Sequence, residues 1–97
     1  MVIEFVGEVI YWRGPAPFYF VAMPEAESAE LKGMAHLLTY GWGVIPVTVQ
    51  CDAVTWTTSL FPKNGLYLVP VKNDVRKATG LQEGDLAELT LTFQLRD

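Results

Sequence analysis

The chain has 97 residues with a formal net charge of -4 at neutral pH, and 51% of them are apolar and 12% aromatic. That balance excludes a disordered chain and supports one domain over residues 1–97, since a compact chain of this size buries roughly two-thirds of its unfolded surface without needing disulfides or a structural metal. The lone cysteine, Cys51, has no internal partner, the N-terminal residues lack a basic stretch, and no window approaches the roughly 18 apolar residues of a membrane span, so a cytoplasmic protein with no membrane association is expected.

The dominant period along the chain is two, which predicts strand after strand. In residues 3 to 12, Ile3, Phe5, Val9 and Tyr11 alternate with Glu4 and Glu8, as expected where one sheet face meets a core and the other meets water. Arg13-Gly14-Pro15-Ala16-Pro17 turns the chain, and Phe18 to Met23 is a short, nearly wholly apolar strand. Pro24 ends it, because proline has no N–H for a ladder and its fixed φ suits a first helical turn. Glu25, Glu27 and Glu30 mark a brief helix that Gly33 is expected to close in a left-handed C′ conformation.

Two further strands, Val44 to Cys51 and Val54 to Phe61, are expected to pair as a hairpin across Asp52-Ala53. Pro46 implies an edge position or a bulge in the first of them. Asn64-Gly65 tolerates the two positive φ values of a type I′ turn, which joins Val54 to Phe61 with Leu66 to Val71 in a second hairpin. Asn73 is the expected N-cap and Gly80 the C′ glycine of a second short helix. Gly84-Asp85 then turns into a last strand, residues 86 to 95, with Ala87, Leu89, Leu91, Phe93 and Leu95 inward and Glu88, Thr90, Thr92 and Gln94 outward.

An apolar strand, one or two helical turns, a glycine and another strand thus occur twice, from Tyr19 and again from Tyr67, which points to a mainly β, pseudo-twofold barrel of about six strands with two short helices. Gly41-Trp-Gly-Val-Ile-Pro-Val-Thr-Val, Trp56-Thr-Thr-Ser-Leu-Phe-Pro62 and Tyr67-Leu-Val-Pro-Val-Lys-Asn-Asp-Val-Arg-Lys77 with Gly80-Leu-Gln-Glu-Gly-Asp85 resemble a bacterial family catalogued as domain of unknown function nineteen-zero-five. The resemblance covers essentially the whole chain and implies a double-split β-barrel, a group that also holds the swapped-hairpin AbrB and MazE proteins. In those, two short chains entwine; here both copies lie in one chain. The family brings no reaction and no catalytic residue set.

The residues themselves offer no catalytic constellation, so no enzymatic activity is expected. His36 and Cys51 stand alone as residues of their kinds, with Cys51 on an inward strand face, where a free cysteine behaves as a small hydrophobe. No spacing suits a metal ion. Ser59 lies outside any nucleophile-elbow pattern, and Gly41-Trp-Gly43 is too short for a phosphate loop, so no cofactor is expected. Lys72, Arg76 and Lys77 on the second helix, together with the AbrB-like resemblance, raise a DNA-binding regulator as an alternative, but one three-residue cluster on a net acidic chain is a thin footprint for phosphates. Many large rings occur in so small a barrel, and Trp12, Trp42, Phe61 and Tyr67 are the candidates for a cleft at its mouth. The expectation is a module that binds a small ligand or a protein partner, as a monomer or weak homodimer.

Overall fold

The computed structural model describes residues 1–13, 17–34, 37 and 45–93. Its elements run β1 (Val2–Arg13), β2 (Pro17–Ala22), α1 (Glu25–Met34), β3 (Ile45–Cys51), β4 (Val54–Lys63), β5 (Leu66–Val71), α2 (Asn73–Thr79) and β6 (Leu86–Thr92). All strand pairs are antiparallel, and the sheet closes on itself in the order β1-β2-β5-β4-β3-β6.

Two strands change partners along their length. β1 pairs with β6 from Val2 to Glu8 and with β2 from Val9 to Arg13. β4 likewise pairs with β3 from Val54 to Leu60 and with β5 from Phe61 to Lys63. The order strand, strand, helix, strand is therefore used twice, as β1-β2-α1-β3 and β4-β5-α2-β6, and the repeat is one strand longer than the sequence pattern suggests. The extra strand interleaves the halves, since β1 joins β6 of the other half and β4 joins β3.

Gly7 sits where β1 leaves β6 for β2. A Cβ there would collide with the Ala22 carbonyl oxygen and lie 2.8 Å from Cγ1 of Val21, so only glycine allows this close approach. On the other side of the barrel β4 and β5 diverge beyond the Phe61–Leu68 pair. Trp56 bridges the opening, its indole Nε1–H donating to the Pro70 carbonyl at 3.3 Å.

Alternate residues of every strand fill the interior. Ile3, Phe5 and Val9 of β1, Val21 of β2, Ile45, Val47, Val49 and Cys51 of β3, Trp56 and Leu60 of β4, Tyr67, Val69 and Val71 of β5, and Ala87, Leu89 and Leu91 of β6 form one buried cluster, joined by Phe93 and by Leu31 and Val75 from the helices. Leu95 lies outside the described residues. Helix α1 is tied down by Ser28, whose hydroxyl donates to the Met23 carbonyl and accepts from the Tyr67 amide, both at 3.1 Å.

The Asn64-Gly65 turn has the two positive φ values its sequence implies, 53° and 82°, and Gly80 closes α2 at φ 76°. Two local expectations need correction. Gly33 does not end α1, which continues through it to Met34. Asn73 is the first helical residue of α2 and not its cap: the chain leaves β5 extended, so Lys72 takes the N-cap place with no side-chain hydrogen bond, and Asp74 Oδ1 accepts from the Val75 amide at 3.0 Å. Pro46 meets its expectation: it stands opposite Ser59 of β4, and the described pairing with β6 runs only from Thr48 to Gln50, so the proline sits where β3 has a partner on one side alone.

A candidate binding surface

With odd-numbered residues of β1, β2 and β5 directed inward, the even-numbered ones form the outer face of the sheet β1-β2-β5-β4. Register places Ile10 beside Phe20, Trp12 beside Phe18, Phe20 beside Pro70, Ala22 beside Leu68, Leu68 beside Phe61 and Leu66 beside Lys63. Every residue of this set except Lys63 is apolar. Sheet faces that meet water are ordinarily polar. This one is not.

Phe20 and Leu68 are 6% and 4% exposed, yet neither belongs to the barrel core, so they form a second apolar cluster on the outside of the sheet. Phe61 meets the Phe20 ring edge to face with centroids 5.2 Å apart, and Phe18 leans over it at 6.1 Å. At the rim, Trp12 and Phe18 remain 37% and 53% exposed. The Lys63 ammonium lies over the Trp12 ring, 2.7 Å from its centroid. Trp12 adjoins the β1–β2 turn and Lys63 the β4–β5 turn, which the antiparallel β2–β5 register puts at opposite ends of the sheet. Contact across that diagonal requires the twisted sheet to curl over its own outer face, making a saddle with Phe20 and Leu68 beneath it. A groove of about 280 Å³ continues from the saddle between Phe18, Tyr19, Pro70, Val71, Lys72 and Asn73.

The other outer face mixes acids and threonines with exposed Val2, Val6 and Leu86, and it carries no exposed aromatic cluster among the described residues. Glu4, Gln50, Asp52, Glu88 and Thr90 line a shallow depression of about 600 Å³ with Val6 among them, and Thr55, Thr57 and Ser59 are exposed on β4. Among the described residues no group of three or more His, Cys, Asp or Glu is placed to hold a metal ion. No helix among them is long and apolar enough to cross a membrane. Cys51 is buried at the end of β3, and burial, with Asp52 and Glu88 nearby, pushes its thiol pKa up, away from the thiolate that nucleophilic chemistry uses.

Of the residues singled out from sequence, Trp12 and Phe61 share the saddle, Tyr67 points the opposite way into the core, and Trp42 and His36 lie outside the described residues. Trp12 and Phe61 thus lie on the outer face of the sheet. The Lys72, Arg76 and Lys77 cluster is divided, because the Arg76 guanidinium stacks on the Tyr19 ring at 3.5 Å while Lys72 and Lys77 stay exposed. Sequence reasoning missed Phe20, Leu68 and Lys63 as a group. The available signal was that β2 and β5 are apolar at nearly every position, a pattern of strands covered on both faces.

Fold and site together define a closed six-strand β-barrel with an apolar saddle on one outer face and a mixed face opposite, where acids and threonines stand beside exposed Val2, Val6 and Leu86. The chain belongs to the family described as Domain of unknown function (DUF1905), whose model matches residues 5–91. No curated protein matches it.

Proposed function

We propose that this protein acts by binding, and that its recognition surface is the saddle formed by Trp12, Phe18, Phe20, Phe61 and Leu68, which receives apolar side chains of a protein partner. The observation that carries this reading is the second apolar cluster: Phe20 and Leu68 are buried on the outside of the barrel, with exposed Trp12 and Phe18 at their edge. Contiguous exposed aromatics mark interaction sites, and aromatic anchors with a polar or charged rim dominate binding energy at such surfaces. Because both halves of the barrel lie in one chain, the protein is expected to fold as a monomer, with any self-association weak.

The alternative of an AbrB-like DNA-binding regulator would rest on Lys72, Arg76 and Lys77, and Arg76 is engaged by Tyr19 in a chain of net charge -4. A small-molecule site would need a deeper enclosure than the saddle offers.

Panning a displayed library of random peptides on the parent protein, followed by measuring each enriched peptide on Phe18→Ser, tests the reading. Enriched peptides should bind the parent, perturb the Trp12, Phe18 and Phe20 resonances, and lose affinity for Phe18→Ser at an unchanged thermal midpoint. Binders that map only to the opposite face, or that ignore Phe18→Ser, would overturn it.

A further inference from the structure

Resting on the saddle as the binding surface, we infer that its partner presents an apolar segment flanked by carboxylates, and that one carboxylate draws Lys63 off the Trp12 ring as the segment docks.

Charge placement carries this. The chain is acidic overall, but the cations on this side border the apolar surface: Lys63 lies across Trp12, and Lys72 walls the groove that runs on from Phe18 and Pro70. The acids Glu4, Asp52 and Glu88 gather instead on the opposite outer face. An acidic partner is therefore attracted to one side of the molecule and repelled from the other, which fixes orientation and raises the rate of encounter.

Lys63 also occupies the surface it guards. Its ammonium rests on the Trp12 face. An exposed cation–π contact and an exposed ion pair are of similar, small strength, so an arriving carboxylate compensates the ammonium for the ring it gives up. The lysine then moves aside, and Trp12 and Phe20 become available to apolar side chains. A neutral apolar segment offers nothing for the ammonium and must displace it at a loss. Selectivity for acidic partners follows from that difference.

The probes are an acetylated hexapeptide in which leucine and phenylalanine are flanked by glutamates, the same peptide with glutamine for each glutamate, and vesicles containing phosphatidylserine. In the free protein the Lys63 side-chain methylene protons should be shifted upfield by the Trp12 ring current, and Trp12→Leu should remove that shift. The glutamate peptide should return those protons toward their ordinary positions and perturb the Trp12 indole. It should bind at least about threefold more tightly than the glutamine peptide, and Lys63→Gln should erase most of that preference while Lys63→Arg retains it. Equal affinity for the two peptides, or a preference untouched by Lys63→Gln, would overturn the acidic-partner inference and leave the saddle as a binding surface. Failure of either peptide to perturb Trp12, Phe18 and Phe20 would overturn the inference and count against the saddle itself. Binding to the vesicles in place of the glutamate peptide would overturn it in favour of a membrane surface.

Discussion

The hydroxyl of Ser28, in the second turn of α1, accepts a hydrogen bond from the main-chain amide of Tyr67 on β5, 39 residues away. The same hydroxyl donates to the Met23 carbonyl, and Ser28 is only 1% exposed, so one small polar side chain stitches the helix of the first half of the barrel to a strand of the second. Removing it leaves a buried N–H with no acceptor. Ser28→Ala is expected to destabilise the protein by about 1–3 kcal/mol, the cost of an orphaned buried donor. Chemical denaturation measures this, and hydrogen exchange should show the Tyr67 amide losing protection first.

Gly7 is a second such position. Its substitution by alanine forces a Cβ against the Ala22 carbonyl oxygen and Cγ1 of Val21, where β1 changes partners, and neither backbone nor β-branched neighbour yields easily. Gly7→Ala should cost about 1–3 kcal/mol as an overpacked site. An unchanged denaturant midpoint would show that the two strands can separate there without penalty.

Gly84 differs in mechanism: nothing crowds its Cβ, but φ is 90°, and its amide donates to the Val9 carbonyl at 2.8 Å. Gly84→Val is expected to lose about 1–3 kcal/mol through backbone strain alone. Gly84→Asn should lose less than Gly84→Val, because asparagine tolerates positive φ better than a β-branched residue, and urea titration of the pair checks the ordering.

Trp56 and Trp12 make a matched test of core against surface. Trp56 is in the interior cluster and bridges the β4–β5 opening, so Trp56→Ala should cost about 3–5 kcal/mol. Trp12→Ala removes an exposed ring with a single cation–π contact and should cost about 1 kcal/mol or less. Thermal unfolding of the two variants side by side decides whether Trp12 serves recognition more than folding; comparable losses would contradict that division.

The burial of Cys51 predicts a pH dependence. Its thiol pKa is raised above the ordinary value of 9.0, first by desolvation and then by Asp52 and Glu88. From pH 9 upward the unfolded chain releases this proton while the folded chain keeps it, so the folded state binds more protons and stability falls as pH rises. The denaturant midpoint should decline through that range and less steeply in Cys51→Ala. Tyr67, raised above 10.0 by burial, adds to the decline at still higher pH. Alkylation of folded Cys51 by iodoacetamide should be slow at neutral pH, and rapid labelling without unfolding would contradict its placement.

Much of the barrel is written in short stretches of the sequence. Alternation assigns the inward residues of β1 and β6, Asn64-Gly65 and Gly80 announce their backbone conformations, and the motifs of the second half identify the family, because each of these depends on a few adjacent residues. Gly33 and Asn73 are both competent terminators, yet α1 runs through Gly33 to Met34, and α2 begins one residue before the expected boundary, so that Asn73 is already helical.

Period-two patterning divides a strand into two faces, but it does not say what lies against each. Trp12, Phe61 and Tyr67 are equally aromatic in sequence, yet the first two share an outer face and the third fills the interior, because strand parity and the β4–β5 register decide which side each ring takes. Gly7 and Ser28 carry no local mark at all, since one is fixed by Ala22 across the β1–β2 pair and the other by Tyr67 in the opposite half. Composition and local pattern determined that this chain builds a barrel of short strands with two brief helices. Only closure of the sheet joined the outer apolar residues of β2 and β5 into one face, since those strands lie about 50 residues apart, and the Phe20–Phe61 and Trp12–Lys63 contacts do not exist until both halves of the chain have met.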